Sequence, residues 1–171
     1  MKIMKKTFTA LSALMIVFLM SVTVYAAALT KEDAVDKALS DAGLSASQVT
    51  KLKSEKDGGD YEIKFISTAD GTKYEYGISA KSGRIREMSA EYAHERNFSS
   101  KKVSKGKAYK AVAEASGLKL SEVKSGTCKL KKDDGEWVYK IKFKSGKCKY
   151  EYEVLAPTGK VVEFEIEYKG K

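Results

Sequence analysis

From Thr30 onward the chain passes through the same two hydrophobic periods twice. Ala34, Val35, Ala38, Leu39 and Ala42 recur at helical spacing and predict one apolar helix face. Thr30 is a helix-capping residue, and Asp33, three positions on, makes a weaker form of the capping box. Gly43 supplies the left-handed position that ends such a helix. The period then changes to two. Tyr61, Ile63 and Phe65 alternate with Glu62 and Lys64, and Tyr74, Tyr76 and Ile78 follow on a second strand. Ser104 begins the second passage, with Ala108, Ala111, Val112 and Ala115 leading to Gly117. Trp137, Tyr139, Ile141 and Phe143 then alternate with Val138, Lys140, Lys142 and Lys144; Cys148, Tyr150, Tyr152 and Val154 follow, and finally Val162, Phe164, Ile166 and Tyr168 alternate with Glu163, Glu165 and Glu167. Turns fall at Asp57-Gly58-Gly59-Asp60, Asp70-Gly71, Asp133-Asp134-Gly135 and Ser145-Gly146. Pro157 suits the second position of a turn through Ala156-Pro157-Thr158-Gly159.

Laid on itself, the chain matches in order. Thr30, Ala34, Gly43, Leu44, Ser47 and Val49 correspond to Ser104, Ala108, Gly117, Leu118, Ser121 and Val123 at an offset of 74. Tyr61, Ile63, Lys64 and Phe65 correspond to Tyr139, Ile141, Lys142 and Phe143 at 78, and Lys73-Tyr74-Glu75-Tyr76 to Lys149-Tyr150-Glu151-Tyr152 at 76. The offset changes only where turns are expected, as a duplication with small loop insertions requires. The predicted fold class is α+β: two repeated units, each an N-terminal helix packed on a three- to four-stranded antiparallel sheet. Residues 27–92 form the first unit and 103–171 the second. Between them, residues 93–102 include His94-Glu95-Arg96-Asn97-Phe98-Ser99-Ser100-Lys101-Lys102, which follow neither period and form a polar, basic linker.

The outward positions also carry a pattern. Lys140, Lys142 and Lys144 line one strand and Glu151 and Glu153 the next, so neighbouring antiparallel strands attract by roughly 0.2–1 kcal/mol per opposed pair. Strand register explains that pattern without a binding site.

Residues 1–26 have the make-up of a signal peptide. Lys2, Lys5 and Lys6 precede a nearly unbroken apolar stretch from Phe8 to Val24, and Val24-Tyr25-Ala26 offers small residues for cleavage after Ala26. A second site lies after Ala28, and an uncleaved anchor is the competing reading, because the stretch nears the roughly 17-residue minimum for a span. No cysteine lies near the boundary to carry a lipid. The formal charge of +9 falls to about +6 without that segment, a mild basic excess suited to solubility or to anionic surfaces. The two cysteines, Cys128 and Cys148, are a candidate disulfide for an exported protein, closing a loop of about twenty residues and contributing roughly 3 kcal/mol. If they lie on the first and third strands of a meander, a middle strand separates them by nearly 10 Å, beyond the roughly 7 Å reach of a bridge. A curled strand end or another strand order would be needed.

Catalytic parts are missing from the pattern. The single histidine, His94, sits in the linker, so a catalytic triad, a His-ligated zinc site and a His–Cys pair each lack members. Phosphate-cradle, CxxC and HExxH patterns do not occur. The Asp-Gly clusters lack a calcium-loop ligand series and are explained by turn chemistry. Tyrosines on the buried side of the alternation argue against stacking on single-stranded nucleic acid.

The runs Leu29-Thr30-Lys31-Glu32-Asp33-Ala34, Lys73-Tyr74-Glu75-Tyr76-Gly77-Ile78-Ser79-Ala80 and Ser82-Gly83-Arg84-Ile85 resemble the PepSY domain, whose units close on a "YEYEIDAxTGxI" type of sequence. The second half shows the motif more fully as Tyr150-Glu151-Tyr152-Glu153-Val154-Leu155-Ala156-Pro157-Thr158-Gly159-Lys160-Val161. Unit one departs at Gly77, a residue expected to weaken or bend its strand. The resemblance implies an extracytoplasmic module of the kind found in metalloprotease propeptides, proposed to inhibit or modulate peptidases, with a fold similar to that of a beta-lactamase inhibitor protein. It implies no catalytic residue, cofactor or metal. The expectation is a secreted, non-enzymatic, protein-binding chain acting sterically on a secreted or surface peptidase. The alternatives are a basic module for anionic cell-wall polymer or membrane surface, and an assembly factor for an exported partner. Nucleic acid is not expected as a partner, and the membrane only through an uncleaved signal segment.

Overall fold

The computed structural model describes residues 29–169. The signal segment and its cleavage position at Ala26 lie outside the described residues. Helix α1, Lys31–Asp41, begins where the capping pattern places it. The Asp33 N–H donates to the Thr30 hydroxyl at 3.1 Å and the Thr30 N–H donates to the Asp33 carboxylate at 3.0 Å. Its apolar stripe is buried at Ala34, Ala38 and Leu39, and Gly43 takes φ 68° just past its end. A single 3-10 turn, Ala46–Gln48, leads into the first four strands: β1 (Val49–Asp57), β2 (Asp60–Ser67), β3 (Lys73–Ser79) and β4 (Ile85–Glu91). Helix α2, Lys105–Ser116, and a short α3, Leu120–Lys124, precede β5 (Thr127–Asp133), β6 (Glu136–Ser145), β7 (Cys148–Leu155) and β8 (Val161–Tyr168).

The eight strands form one antiparallel sheet in the order β1-β2-β3-β4-β8-β7-β6-β5. Each run of four is a meander, and the two meet where β4 pairs with β8, from Glu87 opposite Glu167 to Glu91 opposite Glu163. The sequence predicts a three- to four-stranded sheet for each unit and leaves open whether the two join. A continuous sheet arises because an unpaired strand edge leaves its N–H and C=O groups unsatisfied, and here two such edges satisfy each other.

The helices lie on one side of the sheet, α1 against β1 and β2, and α2 with α3 against β6, β7 and β8. Beneath them one core cluster runs from Ala34 to Ile166. Its centre is aromatic. Phe65 stacks between Tyr74 and Tyr76 at 5.2 and 6.0 Å, and Phe143 between Tyr150 and Tyr152 at 4.8 and 6.2 Å. Buried tyrosines need a partner for the hydroxyl. Tyr61 donates to the Leu29 carbonyl at 3.0 Å and Tyr139 to the Val103 carbonyl at 2.7 Å, which ties the chain just before α1 and just before α2 to the sheet.

Two expectations about local detail change. The β3–β4 register does shift at Gly77/Ile78, but the β7–β8 register shifts at Glu153/Val154, where no glycine stands. The bulge therefore belongs to the strand geometry rather than to Gly77. Cys128 lies on β5 opposite Ile141, and Cys148 begins β7 opposite Ser145. Both thiols are free. Strand β6 runs between them, and their partners on it are four residues apart, about 13 Å along a strand, so no bridge closes in this fold.

Candidate functional site

Strand alternation sends every second side chain away from the helices, and no element covers that side across most of its width. Its charges are ordered by strand. Across the sheet, Lys53, Lys64, Glu75, Ser89, Glu165, Glu151 and Lys142 stand in one row of opposed residues. A second row runs Lys73, Glu91, Glu163, Glu153 and Lys140. Carboxylates thus occupy the middle strands and lysines the borders.

The borders are paired. Lys140 contacts Glu151 and reaches Glu153 at 3.3 Å, Lys142 contacts Glu151, and Lys131 reaches Glu153 at 3.0 Å. This is the Lys–Glu register expected of β6 and β7. On the other flank Lys73 meets Glu91 at 2.9 Å and Lys64 meets Glu75 at 2.5 Å. Hydrogen bonds from Lys169 and Lys149 hold Glu167 below its usual range. In the middle the pattern is different. Glu151 faces Glu165, Glu153 faces Glu163, Glu87 faces Glu167 and Glu91 faces Glu163. Among the described residues, Glu87, Glu163 and Glu165 make no ion pair. Burial, reinforced by Glu165 and Glu167, raises the Glu87 carboxyl above its ordinary range; burial, with Glu153 and Glu91, does the same to Glu163. Like charges directly opposed are destabilising in a sheet, so this stripe is not explained by register. The neighbouring depression lined by Lys53, Glu55, Glu62 and Lys64 holds about 200 Å³, less than a small-molecule site of roughly 300–1,000 Å³.

One end of this face is closed by the linker, which has no regular secondary structure yet is fastened along its length. The Tyr92 N–H donates to the Val162 carbonyl of β8 at 2.8 Å. His94 then contacts the Tyr92 carbonyl through Nδ1 at 3.1 Å and the Glu136 carboxylate through Nε2 at 3.2 Å. Glu136 is 5% exposed and also accepts from the Asn97 N–H at 2.6 Å. Arg96 donates to the Asp134 carbonyl at 2.8 Å. Past the β5–β6 turn the Lys102 ammonium lies 3.9 Å over the Trp137 ring, and the Val103 N–H donates to the Ala156 carbonyl at 2.8 Å. Glu136 shares the alternation of Val138 and Lys140, whereas Trp137 shares that of the buried Tyr139, so the linker is a strap passing from the open face round the end of the sheet to the helices.

The sequence gives notice of the lysine and glutamate strands but not of the carboxylate stripe, which depends on β4 and β8 being neighbours. Nor does it single out Glu136, whose only signal is its place at the head of a strand, nor the strap, which has no period. Of the site residues expected from the sequence, Cys128 and Cys148 lie on the helix side of the sheet, apart from the stripe and from each other.

Residues 28–88 match the family model described as PepSY, the peptidase propeptide and YPEB domain. That segment, α1 to most of β4, is PepSY-like. No curated protein sequence matches the chain. Among solved structures, the Bacillus megaterium YpeB C-terminal domain is similar at 12% identity and a TM-score of 0.42, over 81% of this chain and 63% of that one. A BLIP-like protein from Bacteroides fragilis NCTC 9343 is similar at 14% identity and a TM-score of 0.31, over 84% of this chain and 91% of that one. A cysteine-rich secretory protein from Staphylococcus aureus Mu50 matches at 16% identity and a TM-score of 0.34, over 79% of this chain and 43% of that one.

Proposed function

We propose that the protein is an extracytoplasmic, non-enzymatic module that binds another protein, and that it restrains a peptidase by laying the open face of its sheet across it. The chain is read as two PepSY-like units in tandem. The family match over the first half supports this, as does the matching strand pairing of Phe65 with Tyr74 and Phe143 with Tyr150. The observation that carries the function is the open face itself. Strands of 7–10 residues, eight abreast, make a surface of roughly 35 by 25 Å, which is about the 800 Å² a standard interface takes from each partner. It is broad and shallow, and between its lysine borders it carries an acidic stripe in which, among the described residues, Glu87, Glu163 and Glu165 have no ion pair. A surface of that kind suits a protein partner better than a small molecule.

The exported protein, titrated against the peptidase activity of its own culture medium at low and at high salt, tests this. Stoichiometric loss of activity that persists at high salt is the expected result. Loss abolished by salt points to charge-driven adsorption instead, since screening acts within about 10 Å at 0.1 M. The intact mass of the same sample reads cleavage after Ala26.

A further inference from the structure

We propose that the strap is the inhibitory loop, and that Phe98 enters an apolar primary pocket of the peptidase; this rests on the function proposed above. Phe98 is 66% exposed, and Leu52 at 41% is its nearest rival among the described large hydrophobic residues. An exposed phenylalanine is ordinary in itself. This one stands on a fixed mount. On its N-terminal side the Asn97 N–H is held by the buried Glu136 carboxylate at 2.6 Å, and Arg96 by the Asp134 carbonyl at 2.8 Å. On its C-terminal side the Ser99 N–H donates to the Asn97 side chain at 3.1 Å and the Lys101 N–H to the Ser99 hydroxyl at 3.2 Å, before Lys102 and Val103 dock. The ring rests against Gly135, where an added Cβ would stand 3.1 Å from it. One edge of the ring is therefore supported while most of it faces solvent.

The backbone alternates in the same sense. The Asn97 N–H goes to Glu136 of β6 and those of Ser99 and Lys101 to side chains of the strap, whereas Phe98 and Ser100 make no backbone hydrogen bond among the described residues. Those groups are open to a partner that pairs with an extended chain, which is how a peptidase cleft reads its substrate, with pockets taking alternate side chains. A segment already ordered on both sides of its anchor loses little freedom on binding. Because the N-terminal flank is tied to Asp134 and Glu136 and the C-terminal flank to Trp137 and Ala156, both ends of a cut strand would stay in place rather than be released.

The test uses two chromogenic peptides on the culture-medium peptidases, one with Phe and one with Arg before the scissile bond. The exported protein should suppress cleavage of the Phe peptide and leave the Arg peptide within about twofold. Phe98→Ala should weaken suppression about tenfold or more, as loss of a central aromatic anchor does, and Phe98→Leu should retain most of it. Unchanged thermal unfolding of Phe98→Ala, expected for an exposed side chain, shows that the variant is folded. Equal suppression by Phe98→Ala overturns the proposal, as does rapid turnover of the strap as a substrate. If Glu163→Lys with Glu165→Lys abolishes suppression while Phe98→Ala keeps it, the loop is overturned and the open-face function stands. If the wild-type protein suppresses neither peptide, both readings fall.

Discussion

Glu163 shows most directly what the central stripe costs. It stands between Glu153 and Glu91, and burial together with these neighbours raises its carboxyl above the ordinary range. A raised folded value means that the native state holds its proton more tightly than the unfolded chain. Stability therefore falls as pH rises from the ordinary carboxylate range through the raised value, and the penalty is fully present at neutral pH. Glu163→Gln is expected to stabilise the protein at pH 7 by about 0.3 kcal/mol, a small figure because the site is open to solvent and salt. The gain should vanish below the carboxylate range, and urea titrations at the two pH values would show it. A variant equally stable at both would mean that the stripe carries no strain. Lys131, raised by its hydrogen bonds to Asp133 and Glu153, also holds its proton more tightly in the native state, but there the charged form is the favoured one, so its contribution is stabilising at neutral pH and is lost only as pH rises through the raised lysine value.

Among the helices, α3 is the one the hydrophobic pattern does not announce, because five residues are too few to display a helical period. It is held instead by the burial of Val123, by a Lys119 N–H to Glu122 contact at 3.1 Å, and by the Ser145 hydroxyl donating to Glu122 at 2.6 Å. The chain leaves α3 through Gly126, which passes so close to β6 that a Cβ would collide with the Lys142 carbonyl and with Phe143. Its backbone conformation is ordinary, so the constraint is proximity alone. Gly126→Ala is expected to cost about 2 kcal/mol, in the range of core overpacking, read as a lower denaturation midpoint with an unchanged slope. Gly77→Ala is the contrasting case. Its added Cβ would meet Glu87 at 3.5 Å, an ordinary contact, and the bulge beside it recurs at Glu153 without a glycine. The turns and the two long helices were legible in the sequence because glycine, proline and caps act locally.

At the scale of the molecule the β4–β8 seam makes one body of two meanders. Ala90, 1% exposed, sits on β4 opposite Phe164 of β8. The sole tryptophan, Trp137, lies in β6, three strands from that seam's β4. Heating should give a single transition, with Trp137 fluorescence and far-UV circular dichroism changing together. Ala90→Arg buries a charge at the seam and should lower both midpoints alike, at a cost of about 3 kcal/mol or more. A Trp137 signal that ignores the substitution would mean that the halves fold independently.

Periodicity, caps and turn residues in the sequence by themselves determined that the chain is α+β, where α1, α2 and most strands lie, that Tyr61, Tyr74, Tyr76, Tyr139 and Tyr152 are buried, and that the β6 lysines oppose β7 glutamates. Each of these depends on residues close in the chain or on strands joined by a short turn. The tertiary structure alone decided that β4 and β8 pair, that Cys128 and Cys148 stand apart across β6, and that the linker is a strap fastened by Glu136. The physical reason is common to all three. Backbone groups on strand edges carry no side-chain label for their partner, so distant edges and an aperiodic segment acquire their neighbours only when the chain is folded. The acidic stripe, made of glutamates from β4, β7 and β8, comes into being at that step.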